Sequence, residues 1–206
     1  MQPFIHQIVD QISDVVHAFK HNLLVALAII GVLVIIHIVN NLTGNRLTRL
    51  GIIPRHIIGL RGIIFSPFLH GSWNHLILNS LPLLILSSLL MIHGLLALGV
   101  ITVIIVLVGG VLTWCFGKHG LHIGASSLIM GYWSYTLTQA IVDFNVVNLL
   151  ISLLCLFYLG HLIINIFPSG KKGISWEGHF FGALAGVLAV YLAPLLINYG
   201  QMRVLI

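Results

Sequence analysis

The chain has 206 residues, of which 59% are hydrophobic and only 6% are charged, and its formal net charge is +5. A soluble domain has roughly one-quarter charged residues and just under half apolar ones, so this composition excludes a soluble protein. Most of the exterior must face lipid, where only helices or closed barrels satisfy the backbone hydrogen bonds. The apolar runs are continuous rather than alternating, which excludes a barrel and predicts an all-α membrane protein.

The nine Lys and Arg residues are dispersed through the connecting segments. There they would meet lipid headgroups or water. They form no Arg-rich stripe interleaved with aromatic residues, so we expect the lipid bilayer, and no nucleic acid, as a partner.

Apolar positions recur at helical spacing through residues 4–19, with polar residues between them. This pattern predicts a helix lying on the membrane surface. We therefore assign residues 1–20 to an amphipathic interfacial N-terminal segment and residues 21–200 to a membrane domain of six transmembrane helices. The first of these covers Leu23 to Val39, which with a little of either flank crosses a hydrocarbon layer of roughly 30 Å.

A long connection over residues 40–74 mixes four arginines with apolar patches, and we expect it to lie in the membrane interface. Apolar runs follow at 75–92, 95–114, 126–142, 145–167 and 176–197. Helices two, four and six of this order run in the same direction, so their N-terminal turns lie at one face of the membrane. The polar residues that open them should therefore share one depth: His75 and Asn79, Ser126 and Ser127, Glu177 and His179.

Ser126 and His179 have the chemistry of a nucleophile and its base. Ionisable side chains within a membrane are costly and are therefore functional candidates. A serine hydroxyl becomes nucleophilic when a neutral imidazole takes its proton. Taken alone, the serine is more often a capping residue and the histidine one that reaches for headgroups. Their coincidence at one depth favours a Ser-His dyad.

His75 and Asn79 are candidates for stabilising the oxyanion that such an attack creates. They lie four residues apart, hence on one helical face, and can donate together. Gly124 stands at the turn before Ser126, and the free N–H groups around Ser126 can add further donors. Alternative intramembrane chemistries are disfavoured, since four acids do not supply an aspartyl pair on facing helices and no His-Glu-x-x-His occurs.

Small residues predict close packing between helices four and six. Gly182 and Gly186 share a face with His179, and Ser127 and Gly131 repeat the same interval on helix four. Such residues mediate packing in any case, but this packing face also contains the histidine.

Three segments taken together resemble the rhomboid family of intramembrane serine proteases: His70-Gly71-Ser72-Trp73-Asn74-His75-Leu76-Ile77-Leu78-Asn79, then Gly124-Ala125-Ser126, then Gly178-His179. The resemblance covers residues from about 60 to 190. It implies a six-helix core, Ser126 as nucleophile, His179 as base, and oxyanion stabilisation by His75, Asn79 and the Ser126 backbone amide. It also implies cleavage of transmembrane protein substrates in or near their spanning helix, without cofactor or metal, by a multi-pass protein of the cell membrane, in bacteria the inner membrane.

Some alternatives stay open. Ser127 stands where the family commonly has Gly, so either serine could attack, and the Gly-x-Ser register favours Ser126. The family topology places both termini in the cytoplasm, and this would leave most Lys and Arg residues outside the cell. The positive-inside rule therefore favours the inverse topology.

The segment 167–173, rich in Gly and Lys, is expected to form a mobile lid over the dyad.

The twelve histidines make a haem- or metal-handling membrane protein the runner-up, because neutral imidazoles are common metal ligands. A proteolytically inactive rhomboid-like binding protein is the third possibility.

Overall fold

The computed structural model describes residues 2–160, 164, 166–167 and 175–204, without the side chains of residues 2–5, 7, 8, 11, 14 and 199–204. The described chain folds into α-helices joined by short 3-10 turns. In chain order the helices are α1 (Gln2–Leu42), α2 (Gly62–Phe65), α3 (Trp73–Leu90), α4 (Leu95–Phe116), α5 (Ser126–Val142), α6 (Val146–Leu159) and α7 (Trp176–Val204). The predicted all-α membrane bundle is confirmed.

Four helical stretches are long and apolar enough to cross a membrane: Val15–Leu42, Trp73–His93, Leu95–Phe116 and Trp176–Asn198. Helix α5 has 17 residues and α6 has 14, which is shorter than the roughly 20 residues of an ordinary span. Of the six predicted spans, the length and composition of the described helices therefore support four. Most of the expected lid, residues 168–173, lies outside the described residues.

Helix α1 runs without a break from Gln2 to Leu42. Residues 4–30 contain neither Gly nor Pro, so nothing in the sequence interrupts the backbone hydrogen bonds where the apolar span begins. The boundary that we placed at residue 20 is therefore not a helix end. The interfacial location of residues 1–20 stays a prediction.

The connection between α1 and α3 folds back onto the end of α4. The backbone N–H of Arg55 donates to the carbonyl of Trp114 at 2.9 Å, and the indole N–H of Trp114 donates to the carbonyl of His56 at 2.8 Å. Beside these anchors, the side chains of Ile57 and Ile58 are largely exposed. Such an apolar surface is in keeping with a connection that lies in the membrane interface.

Helix α7 lies between α4 and α5 and packs against both through glycines. A β-carbon added to Gly109 of α4 would lie 3.4 Å from the Cα atom of Gly182, and one added to Gly186 would overlap the carbonyl oxygen of Gly131 on α5. Backbones approach this closely only where side chains are absent or small. The predicted packing of these glycines is confirmed, and it fixes α7 along its length against the helix that begins with Ser126.

Candidate active site

The N-termini of α3, α5 and α7 meet at one end of the bundle. His75 of α3 lies against Gly124, two residues before α5 begins, and Gly182 of α7 lies against Ser127 in the first turn of α5. This is the arrangement expected from helices that run in the same direction. It brings the three polar clusters of the sequence to one depth.

The first turn of α3 is held by its own cap. The side-chain oxygen of Ser72 accepts a hydrogen bond from the backbone N–H of His75 at 3.2 Å, which satisfies one of the unpaired donors of the helix start. Asn79 follows one turn later and is only 7% exposed. Both side chains therefore start from a fixed helical backbone.

His70 orients the amide of Asn79. The Nδ2 atom of Asn79 lies 3.1 Å from Nε2 of His70, and the backbone N–H of Ala125 points to the same nitrogen at 3.5 Å. Both partners are donors, so Nε2 of His70 must be the acceptor. Burial, with smaller contributions from His75 and His37, lowers the pKa of His70 from 6.5 to about 4. A ring that stays neutral can keep accepting both bonds.

Gly124 forms a turn that only glycine fits. Its φ is +118°, a conformation that side chains rarely adopt, and an added β-carbon would lie 2.7 Å from Nε2 of His75 and 3.5 Å from Nδ2 of Asn79. The backbone before Ser126 therefore passes directly beneath these two side chains.

The start of α5 has no side-chain cap. Its N-cap residue is Ala125, and the first turn closes with the Ile129 N–H donating to the Ala125 carbonyl at 2.9 Å. The N–H groups of Ser126, Ser127 and Leu128 precede that bond and have no acceptor within the helix. Unpaired donors at the positive end of a helix form a ready site for an anion.

Ser126 and Ser127 both line a cavity of about 40 Å³. One water needs roughly 10 to 15 Å³ on this measure, so the cavity has room for water beside both hydroxyls. Its walls also include Gly124, His122 and Ser175.

His179 lies in the first turn of α7 and is 8% exposed. One turn further on, a β-carbon added to Gly182 would overlap the carbonyl oxygen of Ser127 and would lie 2.7 Å from its hydroxyl. The glycine face of α7 therefore meets the first turn of α5 as the sequence predicted. The roles of Ser126 and His179 as a dyad stay a prediction.

Glu177 is engaged with the loop between α4 and α5. Glu177 is 4% exposed, and its carboxylate lies 3.8 Å from the ammonium of Lys118, which also stands 5.6 Å from the centre of the Trp176 ring.

Sequence reasoning missed one pair of residues in this region. The hydroxyl of Ser175 lies 2.6 Å from Nδ1 of His122 and accepts the backbone N–H of Gly178 at 3.1 Å. A serine immediately before an apolar helix is a signal for an N-cap, so the second of these bonds could have been found. The contact with His122 spans 53 positions of the chain and has no local signal.

Metal binding receives no support from the side chains that are described. They contain no group of three or more His, Cys, Asp or Glu residues that could hold a metal ion. Histidines 37, 70 and 75 lie near the candidate site, yet His70 already accepts bonds from Asn79 and Ala125.

Comparison with known proteins identifies the class. The family model of the Rhomboid domain matches residues 59–195. Uncharacterized proteins of Mycobacterium bovis and Mycobacterium tuberculosis are 37% identical over 174 residues, which cover 81% of this chain and 72% of each relative. An uncharacterized protein of Mycobacterium leprae is 33% identical over 177 residues, covering 81% of this chain and 69% of the relative.

The chain belongs to the rhomboid family, as the motifs around His75, Ser126 and His179 indicated. It is accordingly a helical membrane protein.

Proposed function

We propose that the chain is an intramembrane serine protease that hydrolyses peptide bonds in or near transmembrane segments of membrane-protein substrates, with Ser126 as nucleophile and His179 as base. The observation that carries the proposal is the position of His75 and Asn79 over Gly124. Two side chains able to donate hydrogen bonds there flank the uncapped start of α5, where an oxyanion formed at Ser126 would need them.

In the proposed mechanism, His179 takes the hydroxyl proton of Ser126 as its oxygen attacks the substrate carbonyl carbon. The carbonyl oxygen becomes an oxyanion, which His75, Asn79 and the Ser126 N–H stabilise. Collapse of this intermediate breaks the C–N bond, and His179 returns its proton to the leaving amine. A water then attacks the acyl-enzyme as His179 takes its proton, the bond between the acyl carbon and the Ser126 oxygen breaks, and His179 returns the proton to that oxygen as the product acid leaves.

The location of this chemistry follows from the family and from the apolar helices. We propose a multi-pass protein of the cell membrane, in a bacterium the inner membrane, with the termini in the cytoplasm and with no cofactor. Its substrates would meet the site from the lipid, because a transmembrane segment cannot leave the bilayer without exposing its apolar side chains to water.

Two classes compete with this proposal. A proteolytically inactive rhomboid-like protein would bind transmembrane segments without cutting them. A haem- or metal-handling protein would need ligands that the described side chains do not group together. The buried His179 in the first turn of α7 and the two donor side chains over Gly124 support the protease, since both would serve an attack by Ser126.

Cleavage of a model transmembrane substrate by the purified protein in liposomes tests the proposal. Ser126→Ala and His179→Ala should each remove cleavage, and Ser127→Ala should retain much of it. Asn79→Ala should leave a measurable rate that is about 10² to 10³ lower in kcat, the usual cost of losing one oxyanion donor. Full activity of Ser126→Ala would overturn the proposal, and wild-type protein that binds the substrate without cutting it would favour the inactive class.

A further inference from the structure

The loop between α4 and α5, residues 117–125, connects directly to the start of α7. His122 is fixed within this loop by an antiparallel bridge to Ile52, in which the Ile52 N–H donates to the His122 carbonyl at 3.0 Å and the His122 N–H donates to the Ile52 carbonyl at 2.9 Å. Its ring then reaches across to Ser175. The same loop continues into Ser126.

The hydrogen bonds of the His122 ring define its tautomer. Nε2 lies 2.9 Å from the carbonyl oxygen of Lys118, which can only accept, so Nε2 carries a proton. In the neutral ring Nδ1 is then an acceptor, and the Ser175 hydroxyl at 2.6 Å donates to it. The distance is that of a short, well-formed hydrogen bond.

Ser175 connects His122 to the first turn of α7 through two further hydrogen bonds. Its hydroxyl oxygen accepts the Gly178 N–H at 3.1 Å, and its carbonyl accepts the His179 N–H at 3.3 Å. The Ser175 hydroxyl therefore donates its proton to Nδ1 of His122 and accepts a hydrogen bond from the Gly178 N–H of the helix. Its orientation, and with it the backbone that bears His179, depends on the imidazole of His122.

We propose that His122 is a positioning residue, which acts through Ser175 to hold the first turn of α7 in register with the first turn of α5. The inference rests on the proposed protease function. The loop that leads into Ser126 would then be hydrogen-bonded to the start of α7, so that Ser126 and His179 keep one relative position when substrate enters. His122 does not touch the reacting atoms in this proposal.

The experiment compares rates of Ser126 labelling by a fluorophosphonate and of substrate cleavage for the wild type, His122→Phe, Ser175→Ala and the double variant, all as full chains in liposomes. His122→Phe keeps an aromatic ring but removes the Nδ1 atom that accepts the hydrogen bond of the Ser175 hydroxyl. We expect its kcat and its labelling rate to fall about threefold to tenfold, with an unchanged KM, since one net hydrogen bond is worth about 0.5 to 1.5 kcal/mol. The double variant should lose less than the sum of the two single losses, because both changes remove the bond between His122 and Ser175.

Conservative and matched variants separate positioning from folding. Ser175→Thr retains the hydroxyl, and His122→Asn retains an acceptor near the place of Nδ1, so both should recover most of the rate. His119 is an exposed histidine of the same loop, and His119→Phe should match the wild type. Recovery by Ser175→Thr and His122→Asn would also exclude a general loss of folding as the cause.

The outcomes distinguish this inference from the proposed function. A wild-type protein that is not labelled at Ser126 would overturn both. Labelled wild type with unchanged rates in His122→Phe, or fully additive losses in the double variant, would overturn the positioning role and leave the protease proposal standing.

Discussion

The imidazole of His75 lies directly over Gly124, so that a β-carbon at position 124 would come within 2.7 Å of its Nε2 atom. This contact joins two segments that are far apart in the sequence, the first turn of α3 and the turn that leads into α5. The backbone that presents Ser126 and the side chains proposed to stabilise the oxyanion are therefore built against each other. A change at Gly124 should disturb both together.

We expect Gly124→Ala to lower kcat by at least about 10²-fold, since it displaces His75 and alters the turn before Ser126. Substrate cleavage and thermal unfolding should be measured in the same detergent. Gly94 is the matched control, because its φ is +99° and an added β-carbon would meet no atom within 4 Å. Gly94→Ala should show a comparable loss of stability from backbone strain with its catalytic rate retained. Equal losses of activity in the two variants would contradict the specific role of Gly124.

The packing of α7 against α5 predicts a different effect for Gly182→Ala. The added methyl group would overlap the carbonyl of Ser127, and overpacking of this kind costs about 1 to 3 kcal/mol. Because the helix must move away from the first turn of α5, labelling of Ser126 should slow as stability falls. Gly99→Ala is the control, since a β-carbon there has open space around it. A Gly182→Ala protein with wild-type stability and labelling would show that the two helices do not need this close contact.

The lowered pKa of His70 predicts a pH dependence of stability. Between pH 6.5 and about 4 the unfolded chain binds a proton at this histidine that the folded protein does not bind. The free energy of unfolding should therefore decrease as the pH falls through this window, by at most about 3 kcal/mol, and should change no further from this source below it. Unfolding in detergent at several pH values measures the effect. His70→Gln should flatten this part of the profile, and an identical slope in the variant would exclude His70 as its origin.

Much of this arrangement follows from simple regularities of the sequence. The direction of alternate spans predicted that His75, Ser126 and His179 open their helices at one face, and the four-residue glycine spacing predicted the contact of Gly182 with Ser127. Both depend only on helix geometry, which is local and regular. Three of the four long spans were correctly placed to within two residues at each end, whereas the first, predicted from Leu23 to Val39, extends from Val15 to Leu42.

Other features depend on tertiary contacts and have no local signal. The bond between His122 and Ser175 joins a loop to a helix start across 53 positions, and the glycine at position 124 is required by the side chains of His75 and Asn79 packed against it. Helix α1 differed from expectation for another reason. An amphipathic segment followed by an apolar one can form a single helix when no Gly or Pro separates them. The change in composition near residue 20 therefore does not coincide with a helix end.

Identification of the serine that reacts tests the proposed function most directly. The wild-type protein in liposomes should be treated with a fluorophosphonate and digested, and the adduct located by mass spectrometry. We expect a single adduct on Ser126, absent from His179→Ala and unaffected in Ser127→Ala. An adduct on Ser127, or equal labelling of the wild type and His179→Ala, would contradict the assignment of Ser126 as nucleophile and His179 as its base.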